Sequence, residues 1–426
     1  MHRKFCHILR IKMGLNAMFT EITDDLTGAA DSSSYFTARG QQVRICISGD
    51  YDLSRKDKEL LSVNLSSRNI KPEAAEEVHY NLLKRLPLSL EQTFMKKIGT
   101  GFRGNDAYEL NGLLRAAEDY LVFIVDNAPD LGTFTLYGNQ FCEGEILPKS
   151  LYAKDPIMPP KEAYIPDILG HASKFKIGLV DIDVVKGGNL LQATTEQVEK
   201  GCRIVVFDAI TKADTLHILQ TLLPHFKKVF WTGSLGIADG LAEQLFGSWQ
   251  QTVFPPEKIR SLGFCASAYE VCKAQQEYSQ KRGLQLVKLD IDNYIEGKTE
   301  ILSKAIDEAL QGNKTGNVMI VPEVKKYSYK PGTSVKILEC INAVAPLICQ
   351  QATFERLVII GGETSQAVFK VTKTQHLELG RPLETGVAQG IIVDGLMAGK
   401  EFSLKGGSLG TEVTLEKMLR HCEVVY

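Results

Sequence analysis

Short apolar runs alternate along this chain with longer segments whose apolar positions recur at helical spacing. The runs Ala17–Ile22, Val43–Ser48, Leu60–Asn64, Phe94–Ile98, Leu121–Val125, Ile177–Ile182, Arg203–Phe207 and Lys228–Thr232 predict strands. Between them, Pro72–Leu86, Ala107–Ala117, Leu190–Lys200, Thr211–Leu223 and Ile237–Leu245 predict helices. A second series predicts strands over Ile259–Cys265, Leu284–Leu289, Asn317–Val321 and Leu357–Ile360. Its helices are Ser267–Lys281, Thr299–Gln311, Ser334–Gln351 and Ser365–Val371. Such alternation gives a mostly parallel sheet with helices on both faces. The expected fold class is α/β, with two domains that are each a mostly parallel sheet flanked by helices. Two stretches break the rhythm. Asp126–Pro160, rich in Gly and Pro, predicts a hairpin or a covering loop, and Leu383–Leu404 predicts short strands and turns before a last helix from Thr414 to His421.

A length of 426 residues exceeds one ordinary core and suits two domains. Gly247–Glu257, with Pro255-Pro256, reads as a linker (247–257) between domains 13–246 and 258–426. Hydrophobic content of 44% and charge of 23% describe a globular chain, not a disordered one. The net charge of -2 offers no basic field for nucleic acid. No apolar run approaches the roughly 20 residues that a membrane span needs. Nine cysteines with no Cys-x-x-Cys spacing point to reduced thiols in a cytoplasmic setting, not to a disulfide framework. Eight histidines without a His-Glu-x-x-His or a close pair argue against zinc. His2–Lys12 lacks a long apolar core and a small-residue cleavage site, so it reads as an extension ahead of a fold that Met13 or Met18 would open.

Candidate chemistry collects where strands give way to helices. Thr23-Asp24-Asp25-Leu26-Thr27-Gly28-Ala29-Ala30-Asp31 presents acids at the end of the first strand, where open α/β folds place their ligands. Carboxylates there can hold a polyhydroxylated substrate, take a proton from a hydroxyl, or carry a cation. An Asp N-cap with solvated acids is the simpler alternative. Leu357-Val358-Ile359-Ile360 runs into Gly361-Gly362-Glu363-Thr364, a phosphate cradle in form: glycines admit close approach, and first-turn N–H groups and the helix dipole favour an anion. A tight turn with Thr364 as N-cap is the competing account. Gly406-Gly407-Ser408-Leu409-Gly410-Thr411 offers a second flexible loop. Lys97, Arg103 and Asn105 surround a glycine-rich turn, and Arg68 is a second cation suited to a carboxylate. Two decoys stand apart. Gly297-Lys298-Thr299 lacks the leading Gly of a P-loop, its place being taken by Asp292, and the first strand is not followed by Gly-x-Gly-x-x-Gly. Asp208 and Asp214, flanking Thr211, read as caps first.

In order, these segments resemble the four-carbon acid sugar kinases, which phosphorylate threonate, erythronate and 3-oxo-tetronate-type acids with ATP. The Thr23–Asp31 stretch resembles the family's opening motif. Ser67-Arg68 resembles its Ser-Arg, and Lys97-Ile98-Gly99-Thr100-Gly101-Phe102-Arg103-Gly104-Asn105 its Lys-Ile-Asp-Ser-Thr-Leu-Arg-Gly-Asn. Asp155-Pro156, Asp208-Ala209 and Gly233–Ala238 fall where similar segments stand. Gly361–Thr364 and Lys405–Gly410 resemble its two nucleotide-side glycine motifs. The resemblance implies an acid-sugar-binding N-terminal domain and a nucleotide-binding C-terminal domain. It implies Asp25 as the catalytic base, with Asp24 the alternative, and Asp24, Ser67, Arg68, Lys97, Arg103, Gly104 and Asn105 as substrate-binding residues. Gly263, Gly361, Gly362, Glu363, Thr364, Gly407 and Gly410 would hold ATP. Mg2+ is implied by ATP, with no ligand set to be read. The expected partners are the sugar acid and ATP, with no nucleic acid and no membrane, and a homo-oligomer stays open.

The chain departs from the family at several positions. Gly99 stands for Asp, and Thr100-Gly101 for Ser-Thr. Asp126-Asn127-Ala128-Pro129-Asp130-Leu131-Gly132-Thr133 stands for Pro-Ala-Phe-Pro-x-x-Gly-Arg, and Lys149-Ser150 for Glu-Thr. Gly263-Phe264-Cys265-Ala266 stands for a Gly-Ser-x-Ser turn. These losses of polar donors leave a competing expectation: a degenerate member that binds metabolite or nucleotide without turnover.

Overall fold

A computed structural model describes residues 19–47, 59–154, 158–249, 259–328 and 330–420. The N-terminal extension with Met13 and Met18, Asp155-Pro156 and most of the expected linker lie outside the described residues. The chain forms two compact units. One holds the described residues of Met1–Gln41 and Leu53–Trp249, the other those of Gln42–Asp52 and Gln250–Tyr426.

The strands up to the end of the first unit are β1 (Phe19–Thr23), β2 (Gln42–Cys46), β3 (Glu59–Asn64), β4 (Thr93–Lys97), β5 (Leu121–Val125), β6 (Thr133–Leu136), β7 (Asn139–Cys142), β8 (Glu145–Ile146), β9 (Ile177–Val180), β10 (Ile204–Phe207) and β11 (Val229–Gly233). The main sheet of the unit runs β3-β1-β4-β11-β5-β10-β9, and every neighbouring pair is parallel. β1, β10 and β11 are buried throughout, as strands covered on both faces must be. The expected irregular span holds a small antiparallel sheet, β6-β7-β8. β1 is the switch point: β3 lies on one side of it and β4 on the other, so a crevice opens at the C-terminal ends of these strands.

The second unit continues with β12 (Ser261–Cys265), β13 (Gln285–Asp290), β14 (Val318–Glu323), β15 (Arg356–Ile360), β16 (His376–Leu379), β17 (Val387–Ile392) and β18 (Glu401–Lys405). Its order is β13-β14-β12-β15-β18-β17-β16-β2. The pairs from β13 to β18 are parallel and the rest antiparallel. β2, expected within the first domain, pairs through Cys46, Ile45, Arg44 and Val43 with His376–Leu379. An early segment of the chain thus completes the edge of the later sheet. β16 had no strand signal in the sequence.

Most element boundaries agree with the sequence pattern to within a few residues. The seven described cysteines are buried and none is in a disulfide, and no described helix is long and apolar enough to cross a membrane.

Candidate active site

β1 ends at Thr23, and the chain leaves the sheet through Asp24-Asp25 into the helix Leu26–Thr37. Asp25 is the N-cap: its carboxylate accepts from the Gly28 N–H at 3.1 Å and from the Thr27 hydroxyl at 2.6 Å. This arrangement needs Gly28, because a Cβ there would stand 2.4 Å from Asp25 Oδ1. Arg68, arriving after β3, closes the turn. Its Nε and Nη2 donate to Asp24 Oδ2 and Oδ1 at 2.6 and 3.0 Å, and Nη2 also donates to Asp25 Oδ1 at 2.7 Å. Nη1 has no partner among the described residues.

The adjacent carboxylates differ in access. The Asp24 side chain is 0% exposed and that of Asp25 is 17% exposed. Burial opposes the Asp24 charge, but Arg68 and Lys96 overcome it and hold the carboxyl at about 2. Burial likewise opposes the Arg68 cation, and Asp24 and Asp25 more than offset it, so its pKa is raised. Asp24, expected beside the substrate hydroxyls, instead spends both oxygens inside the protein on orienting Arg68. Asp25 is the carboxylate of the pair that a ligand can reach.

Lys97 ends β4 in register with Thr23. It is buried, and its Nζ donates to Ile98 O at 2.6 Å and stands 3.4 Å from the point where a Gly28 Cβ would sit. Asp126, just past β5, is fully buried, and its Oδ1 accepts the Ser234 N–H at 2.7 Å. Its Oδ2 has no hydrogen-bond partner among the described residues. Burial raises the Asp126 pKa against the pull of Ser234 and Lys97. Gly233 permits this close assembly: a Cβ there would lie 2.2 Å from Val125 O.

Ser67 and Asn105 support the site from beneath. The Ser67 hydroxyl donates to Glu109 Oε1 at 2.5 Å, while Asn105 Nδ2 donates to the Ser67 and Ile70 carbonyls at 2.8 and 2.9 Å, fixing the loop that carries Arg68. Both were expected to touch substrate, but the Ser67 hydroxyl and the Asn105 amide nitrogen are committed to the fold. Gly104 lies beside the Arg68 clamp, and its φ of 146° is a backbone conformation that favours glycine. Arg103 stacks over Tyr152 at 4.8 Å and donates through Nε to Thr100 O at 3.4 Å. Gly99 lies against Arg68: a Cβ there would stand 3.3 Å from Nη2.

Lys96, Glu109, Asp106 and His79 were not singled out in the sequence. Lys96 Nζ pairs with Glu109 at 2.7 Å, both fully buried, and His79 Nε2 lies 3.7 Å from the same carboxylate. Burial lowers the His79 pKa to about 4, and its Nδ1–H donates to Ala75 O. Burial, then Glu109 and Asp24, raise the Asp106 pKa. The signal was legible: consecutive lysines at the end of an apolar strand send one ammonium to each face, and both are buried, Lys96 meeting the Glu109 carboxylate and Lys97 a backbone carbonyl.

In the second unit the candidate groups are mainly backbone. β15 ends at Ile360, and Gly361, with a φ of 105°, turns the chain into the helix Gly362–Val371. No side-chain hydrogen bond caps this helix, and a helix N-terminus of this form suits an anion. Thr364 is buried and is not the cap, while Glu363 is exposed. The second loop leaves β18 beside it, with the Gly361 N–H donating to Lys405 O at 2.9 Å. Lys405, fully buried, donates from Nζ to the Gly406 and Leu409 carbonyls at 3.0 Å each and curls the loop around its charge. Gly407 presses on Ser267, where a Cβ would lie 2.4 Å from Oγ, and Gly410 has φ 84°. Gly263 requires a correction. It lies inside β12, not in a turn, and its missing side chain accommodates Met319, 2.7 Å from an added Cβ.

Asp208 accepts N–H bonds from Tyr137, Gly138 and Ile182, and Asp214 forms a capping box with Thr211, so both are structural as expected. Lys298 pairs with Asn293 and Glu296 at the surface, as a solvated residue should.

Residues 20–241 match a family model described as a sugar-binding N-terminal domain, and residues 262–415 match one described as a nucleotide-binding C-terminal domain. A D-threonate kinase of Salmonella typhimurium is 23% identical over 422 residues, covering 95% of this chain and 98% of the relative. A 3-oxo-tetronate kinase of Burkholderia multivorans is 26% identical over 424 residues, covering 94% and 96%. A crystal structure of a Haemophilus influenzae protein shares the fold with a TM-score of 0.71 at 21% identity, covering 93% of this chain and 98% of that one. With both domain models matched in order along its length, the chain belongs to the four-carbon acid sugar kinase family.

Proposed function

We propose that this chain transfers the γ-phosphoryl group of ATP to a hydroxyl of a four-carbon sugar acid. The observation that carries the reading is the Asp25 carboxylate. It is fixed by Thr27, Gly28 and Arg68, remains partly exposed, and stands at the switch point of the matched sugar-binding domain. A carboxylate so held can orient a substrate hydroxyl and accept its proton as the phosphoryl group arrives. Arg68 Nη1 and Lys97 supply donors for the carboxylate of the acid, and Arg103 lies on the same loop side. In the matched nucleotide-binding domain the Gly361–Thr364 turn and the Gly407–Gly410 loop would receive the ATP phosphates. The reaction depends mainly on positioning and charge neutralisation.

Mg2+ would accompany ATP. The described residues contain no group of three or more His, Cys, Asp or Glu able to hold a metal. The ion would therefore rest chiefly on phosphate oxygens and water, which suits its usual coordination. Two of the departures from the family lie inside the fold: Phe264 is fully buried in β12, and Thr133 is buried in the small antiparallel sheet.

The test is incubation with ATP, Mg2+ and a panel of threonate, erythronate and 3-oxo-tetronate stereoisomers, followed by ADP detection. ADP release with one acid supports the kinase reading. Tight binding of an acid with no ADP from any of them would replace it with a binding role.

A further inference from the structure

The nucleotide loops occupy the C-terminal edge of the second sheet. A different cluster gathers at its N-terminal edge, on the residues that lead into β12, β13, β14 and β15. Arg260, Arg282 and Lys314 line an open cleft of about 570 Å³ with Arg420 from the last helix, against one carboxylate, Glu355. A volume of this size suits a small-molecule ligand. The concentration of cations contrasts with a chain whose net charge is -2.

Their partners show why the charge remains available. Arg260 Nη1 reaches only the Asn313 and Lys314 carbonyls, at 3.5 and 3.4 Å. Arg282 donates to the Tyr278 carbonyl at 3.1 Å, and its guanidinium lies 3.5 Å over the Tyr278 ring. Lys314 Nζ donates to Gln311 at 3.0 Å. Among the described residues, only Arg420 of the four cations has a carboxylate partner, Glu416, and its Nη2 donates to Arg282 O at 2.6 Å. Glu355 accepts the Arg260 backbone N–H at 2.7 Å and pairs with none of the cations. Arginines held through carbonyls and an aromatic face keep their orientation and full charge with N–H donors to spare, the condition that phosphate recognition requires. Gly283 adds an open floor, since nothing lies within 4 Å of an added Cβ.

We propose that this cleft is a second anion site, for a small ligand bearing one or more phosphate groups. It is separate from the nucleotide loops. Five- and six-residue strands intervene, so the two edges lie about 17–20 Å apart at ~3.3 Å per residue. The ligand would bridge the lead-in turns of four strands of the nucleotide-binding sheet.

The probe is inorganic pyrophosphate, titrated calorimetrically into the full chain with ATP present in excess to fill the glycine loops. The expected result is a saturable binding event that persists with ATP. It should weaken about tenfold or more in the double variant Arg282→Gln, Lys314→Gln, at unchanged ATP affinity and melting temperature. Both side chains are exposed. Should the double variant prove unstable, Lys314→Gln alone gives the same comparison with a smaller loss. Pyrophosphate binding that disappears when ATP is present, or that is equally strong in the variants, would overturn the proposal. So would preferential capture of a short oligonucleotide over pyrophosphate.

Discussion

The two units solve related problems with different materials. In the first, the candidate substrate turn is built from side-chain charges: Asp24 and Asp25 share Arg68, Lys97 stands nearby, and Lys96–Glu109 lies beneath. In the second, the candidate phosphate site is built from glycine backbone, with the buried Lys405 curling one loop. A polyhydroxylated acid is recognised by donors and acceptors placed one by one, which side chains supply. A triphosphate presents many similar oxygens, which a row of backbone amides can meet without side-chain choice. Sites of the first kind are sensitive to the loss of a single group, and sites of the second kind to the loss of backbone freedom.

The sharpest break in this contrast should come from Asp25→Asn. The variant keeps the cap geometry but removes the base, so turnover should fall by at least about 10²-fold, the lower end for general-base catalysis. Acid and ATP affinities should change far less. Full turnover in a folded variant would reduce Asp25 to a helix cap.

Arg68→Ala comes next. It leaves the fully buried Asp24 carboxylate without its partner and should cost about 2–4 kcal/mol in chemical denaturation, the buried-pair range discounted for the partial exposure of Arg68. Acid binding should fall with it, and ATP affinity should hold once folded protein is compared. Unchanged stability would mean that Asp24 finds another partner.

On the backbone side, Gly361→Ala places a Cβ at φ 105°, a strain of roughly 1–3 kcal/mol that should distort the cradle. Calorimetry should show ATP affinity reduced and acid affinity intact, the mirror image of Arg68→Ala. Loss of both ligands together would indicate a global effect.

The smallest effect concerns His79 and pH. An unfolded His titrates near 6.5, whereas burial holds His79 at about 4 in the fold. Between those values the unfolded chain carries the extra proton, so the contribution of His79 to stability is complete above about 6.5 and declines as pH falls toward 4. Its slope is at most about 1.4 kcal/mol per pH unit. Glu21 and Asp106, whose pKa values are raised by burial, act with the opposite sign, so the measurement is the difference between wild type and His79→Leu. The variant should gain stability relative to wild type as pH drops through that window. A pH-independent difference would mean that His79 is protonated in the fold.

By itself the sequence determined the α/β class, most of the parallel strands and longer helices, and the candidate turns at strand ends. Period-2 and period-3.6 patterns and the glycines after strands are local properties, and local physics suffices to read them. It also marked Asp25, Lys97 and the Gly361 turn correctly as strand-end features. Only the tertiary structure decided how those residues divide their work. Asp24 and Asp25 are neighbours in sequence and alike in chemistry, yet Asp24 is buried under Arg68 while Asp25 remains accessible, because the loop that brings Arg68 is set by Asn105 from a distant turn. The seating of β2 beside β16 was equally invisible, since strand pairing is fixed by contacts across more than 300 residues of chain and by no local pattern. Burial and long-range charge pairing separated what the sequence presented as equals.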